Sequence, residues 1–432
     1  MSASLSPHFS TTPFWAEEVT PFQPTQHPLP ECVEVLIIGG GYAGLSAALT
    51  LAQAGCSVVV CEASHLRTGA SSSSAGSLGN IPKAKLDDLS ARYGHNDALQ
   101  IYREARQARE YVEQLIATFN IDCDLEHKGR IIAAHSAKTF KKFSASLSDI
   151  QSVWGEVALL ERDALTTEIG STAFFGGLRI TDSATLQPAK FRMGLAKAAQ
   201  SAGAQILEHQ RVTGLRRIDH QFEIQTPTLT LYAKNVIMAT NAETGPELEL
   251  GKQLRKRMTI VPAYALVTEV LSDDTMKAVL PQYRSFSDTY KLLHYMAPAG
   301  RSGRLVMSGR AGRTDGNLAV KAERIMRYFS TRFPALADVK VSHCWGGSFA
   351  VPHDWIPHTG EEDGLHYILG CSGTGVPMST YLGHKTAVKI LKMPDHETAF
   401  CRSMPPIPYW PLNNWLLPLA ARAYTLRDHL FR

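Results

Sequence analysis

Gly39, Gly41 and Gly44 stand in the spacing GxGxxG, and an acid, Glu62, follows 23 residues after the first of them. These are residue types that can hold a dinucleotide. A glycine at Gly39 permits a tight turn, one at Gly41 lets bare backbone approach a pyrophosphate, and one at Gly44 lets a helix pack closely on a strand. A helix that opens at Tyr42 and Ala43 would offer free N–H groups and the positive end of its dipole to the phosphates. The Glu62 carboxylate, with Ala63 beside it, is placed to accept a hydrogen bond from a ribose 2′-hydroxyl. It would repel a 2′-phosphate, which favours FAD or NAD over NADP. The bland alternative is a glycine-rich turn with no ligand.

The elements around these residues argue for the ligand. Residues 33–38 (VEVLII) form an apolar run too short for a helix, which reads as a buried parallel strand. Tyr42 to Ala54 reads as a helix, ended by Gly55 where a left-handed residue is needed. Residues 57–61 (SVVVC) close a βαβ unit. Two later turns have the same character. Ala239-Thr240-Asn241 follows a buried strand at 235–239, and Gly370 to Val376 (GCSGTGV) lies between a short strand and a helix. Gly373, Thr374, Gly375 and Val376 would put a second helix N-terminus at the sheet edge, which suits the far end of a long cofactor.

The remaining pattern predicts an α/β protein: a Rossmann-like dinucleotide-binding domain plus a domain built on a mixed or antiparallel sheet. Helices are expected at 97–119, in two pieces over 137–168, and at 188–202, 317–333 and 375–391. Strands are expected at 130–134, 205–207, 211–218, 221–225, 229–232, 258–270, 304–309 and 367–370. Residues 1–30 contain six prolines and read as an extended arm, with Phe14, Trp15 and Phe22 docking parts of it on the protein.

Bulk properties exclude several function classes. Hydrophobic residues are 44% of 432 and charged residues 19%, as in a globular protein. The net charge of +4 and the lack of basic clusters with interleaved aromatics give no reason to expect nucleic-acid binding. The seven cysteines form no CxxC pair and no zinc-ligand spacing, so no metal is expected and a reducing compartment is. No signal peptide and no transmembrane run is visible, which points to the cytoplasm.

Taken in order, several blocks resemble the D-amino-acid oxidase-like flavoproteins, which include glycine oxidase, monomeric sarcosine oxidase and γ-glutamylputrescine oxidase. They are VLIIGGGYAGLSAALTLAQAG, GAS at 69–71, TDSATLQPAKFRMGLAKAA at 181–199, MATNAETG at 238–245, RLVMSG at 304–309, WGGSFAVPHDWIPHTG at 345–360 and GCSGTGVPMS at 370–379. The proline-rich arm and the tail PYWPLNNWLLPLAARAYTLRDHL look closest to the γ-glutamylputrescine oxidase branch. The resemblance implies an FAD domain assembled from 31–90, 180–250 and 346–395, a substrate domain from 91–179 and 251–345, and a tail at 396–432. It implies that Val212 contacts the adenine end through its backbone, that Ala70 and Ser71 lie along the cofactor with Ala239 and Thr240, and that Gly373 to Val376 approach the flavin ring. The implied chemistry is hydride loss from the carbon beside an amine nitrogen to flavin, giving an imine that water hydrolyses. Positioning then matters more than an acid or base.

Departures from the family pattern shape the substrate expectation. Phe349 replaces the arginine with which glycine oxidase grips a substrate carboxylate, and Pro377 replaces a sarcosine oxidase lysine. Both changes favour a larger amine, such as a γ-glutamylated one, over a small amino acid. A cyclic imino acid such as L-pipecolate or L-proline is the alternative. Met307 stands where sarcosine oxidases carry an oxygen-activating lysine, so the electron acceptor is oxygen or a quinone. Ser74 and His343 replace the linking residues of covalent relatives, with Cys344 adjacent to the second, so FAD is expected to be non-covalent. His294 and Tyr295 are expected on a strand facing the flavin, where either would orient the amine. Tyr295 and Phe349 are the candidate substrate contacts. His353 and Asp354 are adjacent in sequence and read as part of a loop beside the cofactor domain rather than as a catalytic pair. The tail with Trp410 and Trp415 is expected to dock on the protein itself, with peripheral membrane contact as the alternative. An NAD-dependent dehydrogenase and a non-catalytic flavin-binding or RNA-associated module remain open as rival classes.

Overall fold

The computed structural model describes residues 5–24, 28–246, 248–309, 316–362 and 364–407, so the expectations for Trp410, Trp415 and the rest of that tail lie outside the described residues. Two large sheets carry the architecture. In the first, the Cys32–Ile38 strand pairs in parallel with Val58–Cys61 on one side and with Thr230–Met238 on the other. With no free edge, its residues Val33, Val35, Leu36, Ile37 and Ile38 are all buried. That explains a run of apolar residues without alternation. Each such side chain stabilises the fold by about 1.5–3 kcal/mol when fully buried. Gln205–Leu207 extends this sheet beyond Val58–Cys61, again in parallel.

The Thr230–Met238 strand serves two neighbours in succession. Its first half pairs antiparallel with Gln221–Gln225, and Val236, Ile237 and Met238 pair in parallel with Leu365, His366 and Tyr367. The sequence reading divides it into two strands, at 229–232 and 235–239. The structure corrects this to one strand whose surroundings change halfway. Because Cys32–Ile38, Val58–Cys61, Thr230–Met238 and Leu365–Leu369 run in the same direction, their carboxyl ends converge on one side of the sheet. In open α/β sheets this is where ligands bind.

The second sheet has nine strands in the order Leu5–Ser10, Val341–Pro352, Met258–Thr268, Leu305–Gly309, Tyr295–Pro298, Ser285–Asp288, Arg130–Ala133, Gly177–Ile180 and Val157–Leu160. Most pairs are antiparallel. Leu5–Ser10 with Val341–Pro352, and Ser285–Asp288 with Arg130–Ala133, are parallel. The sheet is therefore mixed, as expected. Val157–Leu160 corrects the expectation of helix across 137–168. Helices at Ala137–Ala145 and Leu147–Trp154 end at Gly155, at φ +80, and the four apolar residues VALL then pair antiparallel with Gly177–Ile180. The 12-residue strand Val341–Pro352 is not among the predicted elements.

The N-terminal arm docks as predicted. Leu5–Ser10 adds an edge strand, Phe14–Glu17 forms a single helical turn, and Phe14, Trp15 and Phe22 are buried. No helix among the described residues is long and apolar enough to cross a membrane.

Candidate active site

The turn after Cys32–Ile38 is held in shape from both sides. Gly39 adopts φ +105, which a side chain would strain, and a Cβ there would lie 2.9 Å from the Ala239 carbonyl oxygen. A Cβ on Gly44 would stand 2.0 Å from the Gly39 carbonyl oxygen, so the Tyr42–Gln53 helix can lie this close to the turn only with glycine. That helix opens at Gly41 with no side-chain cap. Ser71 Oγ accepts from the Tyr42 amide at 3.2 Å, and the Tyr42 hydroxyl donates to the carbonyls of Ser71 and Pro188 at 2.6 and 3.0 Å. Burial raises the Tyr42 phenol far above its ordinary pKa.

Glu62 is fixed by four donors. Its Oε2 accepts from the Gly40 amide at 3.0 Å and from Arg192 at 2.9 Å, and its Oε1 accepts from the Ser64 amide and hydroxyl at 3.0 and 3.4 Å. Arg192 is 2% exposed and its guanidinium is held at all three nitrogens. It donates to the carbonyls of Gly40, Leu66 and Thr68, to Ser72 Oγ and to Glu62. Burial lowers its pKa, and Glu62 opposes that shift. Sequence reasoning missed Arg192. The available signal was a charge between the apolar Phe191 and Met193, on the buried face of its helix.

The two later turns are tied together by Asn241. Its Oδ1 accepts from the Gly370 amide at 2.9 Å, and its Nδ2 donates to Cys371 Sγ at 3.2 Å. The sequence reading notes Asn241 within its motif without giving it a role. The 69–74 segment is pinned by two indoles: Trp15 donates to the Ser74 carbonyl at 2.9 Å and Trp345 to the Ser73 carbonyl at 2.8 Å. These rings meet edge to face, with centroids 6.4 Å apart.

All these segments border one cavity of about 2190 Å³. Pockets for drug-sized ligands run to roughly 300–1,000 Å³, so this one has room for a long cofactor together with a substrate. Of the candidate cofactor residues, Gly39, Gly41, Tyr42, Ala43, Glu62, Ala63, Ala70, Ser71, Val212, Ala239, Thr240, Gly373, Thr374, Gly375 and Val376 all line it. Gly44 stands behind the turn. The opposite wall comes from the nine-stranded sheet and includes Arg130, Tyr264, Tyr295, Ser308 and Trp345. Phe349 lies where the walls meet, its Cε2 3.9 Å from where a Gly373 Cβ would be.

Tyr295 is on that wall, 5% exposed, and its hydroxyl makes no hydrogen bond among the described residues. Burial raises its pKa. His294 corrects the expectation of a strand position facing the cavity, since it precedes the Tyr295–Pro298 strand and is not among the lining residues. Its ring stacks on Tyr328 at 3.4 Å and its Nδ1 is 2.9 Å from Asp288 Oδ2. Met307 and Cys344 are fully buried in the core behind this wall, and His343 Nε2 is 3.2 Å from Glu17. His353 and Asp354 lie in a turn at the cavity rim, where Asp354 binds His358 and Tyr93. No group of three or more metal-ligating side chains occurs among the described residues.

The donor set fits a dinucleotide. A turn that admits no Cβ, an uncapped helix start and a fixed carboxylate share one cavity with a second uncapped helix start at Gly375. Known proteins agree. Gamma-glutamylputrescine oxidoreductase of Escherichia coli (strain K12) is 28% identical over 410 residues, spanning 92% of this chain and 93% of that protein. A probable oxidoreductase, OrdL, of Rhizobium meliloti (strain 1021) is 27% identical over 433 residues, covering 98% of each. The crystal structure of glycine oxidase from Geobacillus kaustophilus superimposes with a TM-score of 0.71 at 22% identity, over 86% of this chain and 97% of that one, and so shares the fold. Residues 34–388 match the family described as FAD dependent oxidoreductase (DAO), which decides between FAD and NAD. The chain therefore belongs to the DAO family of FAD-dependent oxidoreductases, enzymes that act on amine or amino-acid donors.

Proposed function

We propose that this enzyme oxidises a C–N bond of a γ-glutamylated or other polyamine-type amine. When bound, FAD supplies the two-electron acceptor for the hydride on the carbon beside the nitrogen. On this reading the turn and helix start from Gly39 to Gly44 hold the pyrophosphate, through the amides of Gly41 and Ala43, and Glu62 with Ala63 holds the ribose. Val212 meets the adenine, while Ala70, Ser71, Ala239, Thr240 and Gly373 to Val376 border the rest of the cofactor. Tyr295 and Phe349 border the amine. His294 is assigned a positioning role, through Asp288 and Tyr328, because it stands off the cavity wall. The domain division at 31–90, 180–250 and 346–395 against 91–179 and 251–345 belongs to the same proposal.

One observation carries it: the backbone-rich turns and the aromatic wall border a single cavity large enough for cofactor and substrate together. Non-covalent FAD is supported by the positions of His343 and Cys344, neither of which lines that cavity. Seven free cysteines suit a reducing compartment such as the cytoplasm. The test is spectroscopic. Purified protein should be yellow, and a γ-glutamylated diamine added without air should bleach it. Admission of air then separates oxygen from a quinone as acceptor, by whether the colour returns at once. Protein that binds no FAD, or FAD that no amine bleaches, overturns the proposal.

A further inference from the structure

Arg130 opens the strand Arg130–Ala133 and lines the cavity from the sheet opposite the glycine turns. Its side chain makes one hydrogen bond among the described residues, from Nε to Ser287 Oγ at 3.2 Å. The guanidinium lies over the Tyr295 ring, 5.7 Å from its centroid. No carboxylate among the described residues pairs with it. Asp288, on the neighbouring strand, is already occupied: it accepts from Tyr328 at 2.5 Å, from the His294 ring at 2.9 Å and from the amides of Tyr290 and His294. The two terminal nitrogens of the guanidinium therefore have no acceptor among the described residues, and the side chain borders the cavity.

Arg130 is half-buried, and a cation drawn partly out of water with no counter-charge gains when an anion completes it. Burial already lowers the Arg130 pKa, and a guanidinium nonetheless stays charged at neutral pH. The fork matches a carboxylate bidentately, which no other side chain does as well. Its location sets the reach of the ligand. One strand, Ser285–Asp288, separates Arg130–Ala133 from Tyr295–Pro298, whose Tyr295 borders the amine on the proposed reading. Two spacings of about 4.8 Å are roughly 10 Å, within reach of a chain several bonds long. We propose that Arg130 receives the substrate's carboxylate, so that the substrate class is an amine carrying a carboxylate several bonds from the C–N bond that reacts. This rests on the amine-oxidation reading for the same cavity.

The experiment has a binding arm and a turnover arm. In the first, hexanoate and hexanamide are titrated into the purified protein by calorimetry. Hexanoate should bind at least tenfold more tightly than the amide. Arg130→Gln should erase that preference, and Arg130→Lys should restore part of it. In the second, ε-aminocaproate and its primary amide are compared as anaerobic reductants of the bound flavin. The acid should be favoured at least tenfold in kcat/KM through KM, and the ratio should fall near one in Arg130→Gln. Equal binding of hexanoate and hexanamide by the unmutated protein overturns the inference without any variant having to fold. So does an unchanged preference in Arg130→Gln. The two readings fail separately. Selective hexanoate binding lost in Arg130→Gln, with no amine bleaching the flavin, keeps the carboxylate site and sinks amine oxidation. Bleaching by acid and amide alike, in both proteins, does the reverse.

Discussion

Two arginines stand on opposite walls of the cavity, and they are used in opposite ways. Arg192 spends its donors on Glu62, Ser72 and three backbone carbonyls, all within the protein. Among the described residues Arg130 has a single hydrogen-bond acceptor, Ser287 Oγ, and an aromatic face. The first wall is finished before any ligand arrives, and its shape is set by backbone that one buried charge holds in place. The second wall is left incomplete among the described residues, with a guanidinium that has one hydrogen-bond acceptor and a tyrosine hydroxyl that has none. A buried charge bound on every nitrogen to its own protein holds a scaffold, and one with donors left over can hold a ligand.

That contrast can be broken at the finished wall. Arg192→Leu should have the largest effect, because it leaves Glu62 without its counter-charge and several carbonyls unpaired. Breaking a buried pair costs about 3–5 kcal/mol, and the expected result is protein isolated without flavin and with a sharply lowered Tm. Retention of full flavin content would show that Glu62 does not depend on this arginine. Gly44→Ala should come next. Its Cβ would press on the Gly39 carbonyl, an overpacking worth about 1–3 kcal/mol, read as weakened FAD affinity with a smaller loss of Tm. Trp15→Phe should be mildest. It keeps the ring's burial but removes the bond to the Ser74 carbonyl, about 1 kcal/mol, and should speed FAD release on dilution with little change in secondary structure. A larger effect of Trp15→Phe than of Arg192→Leu would mean that the indole, not the arginine, holds the turn segments.

What the sequence made legible follows the same division. The βαβ start could be read because its information is local: three glycines, an apolar run and an acid lie within 62 residues. The long helices at His95–Thr118 and Gly375–Ile390 were legible from periodicity. The strand Val341–Pro352 was not, since VSHCWGGSFAVP mixes polar residues with two glycines and shows no alternation. Its identity comes from an 11-residue ladder with Met258–Thr268. Arg192 was hidden for a related reason, because its partner Glu62 lies 130 residues away. Arg130 and Tyr295 meet only because two chain segments 157 residues apart, at Arg130 and Ser287, are brought side by side. Backbone chemistry at the cofactor wall is written in short motifs. Side-chain chemistry at the substrate wall is assembled by the sheet, and a single sequence does not display it.

The docked N-terminal arm imposes an order on assembly. Glu17 meets His343 across 326 residues, and Leu5–Ser10 completes the sheet edge only against Val341–Pro352. During synthesis the arm must therefore wait, unpaired and with Trp15 exposed, until that distant strand has been made. Contacts this far apart form late and slowly. The bond from Trp15 to the Ser74 carbonyl, at the border of the cavity, therefore joins residues that the ribosome delivers far earlier than the strand that seats the arm.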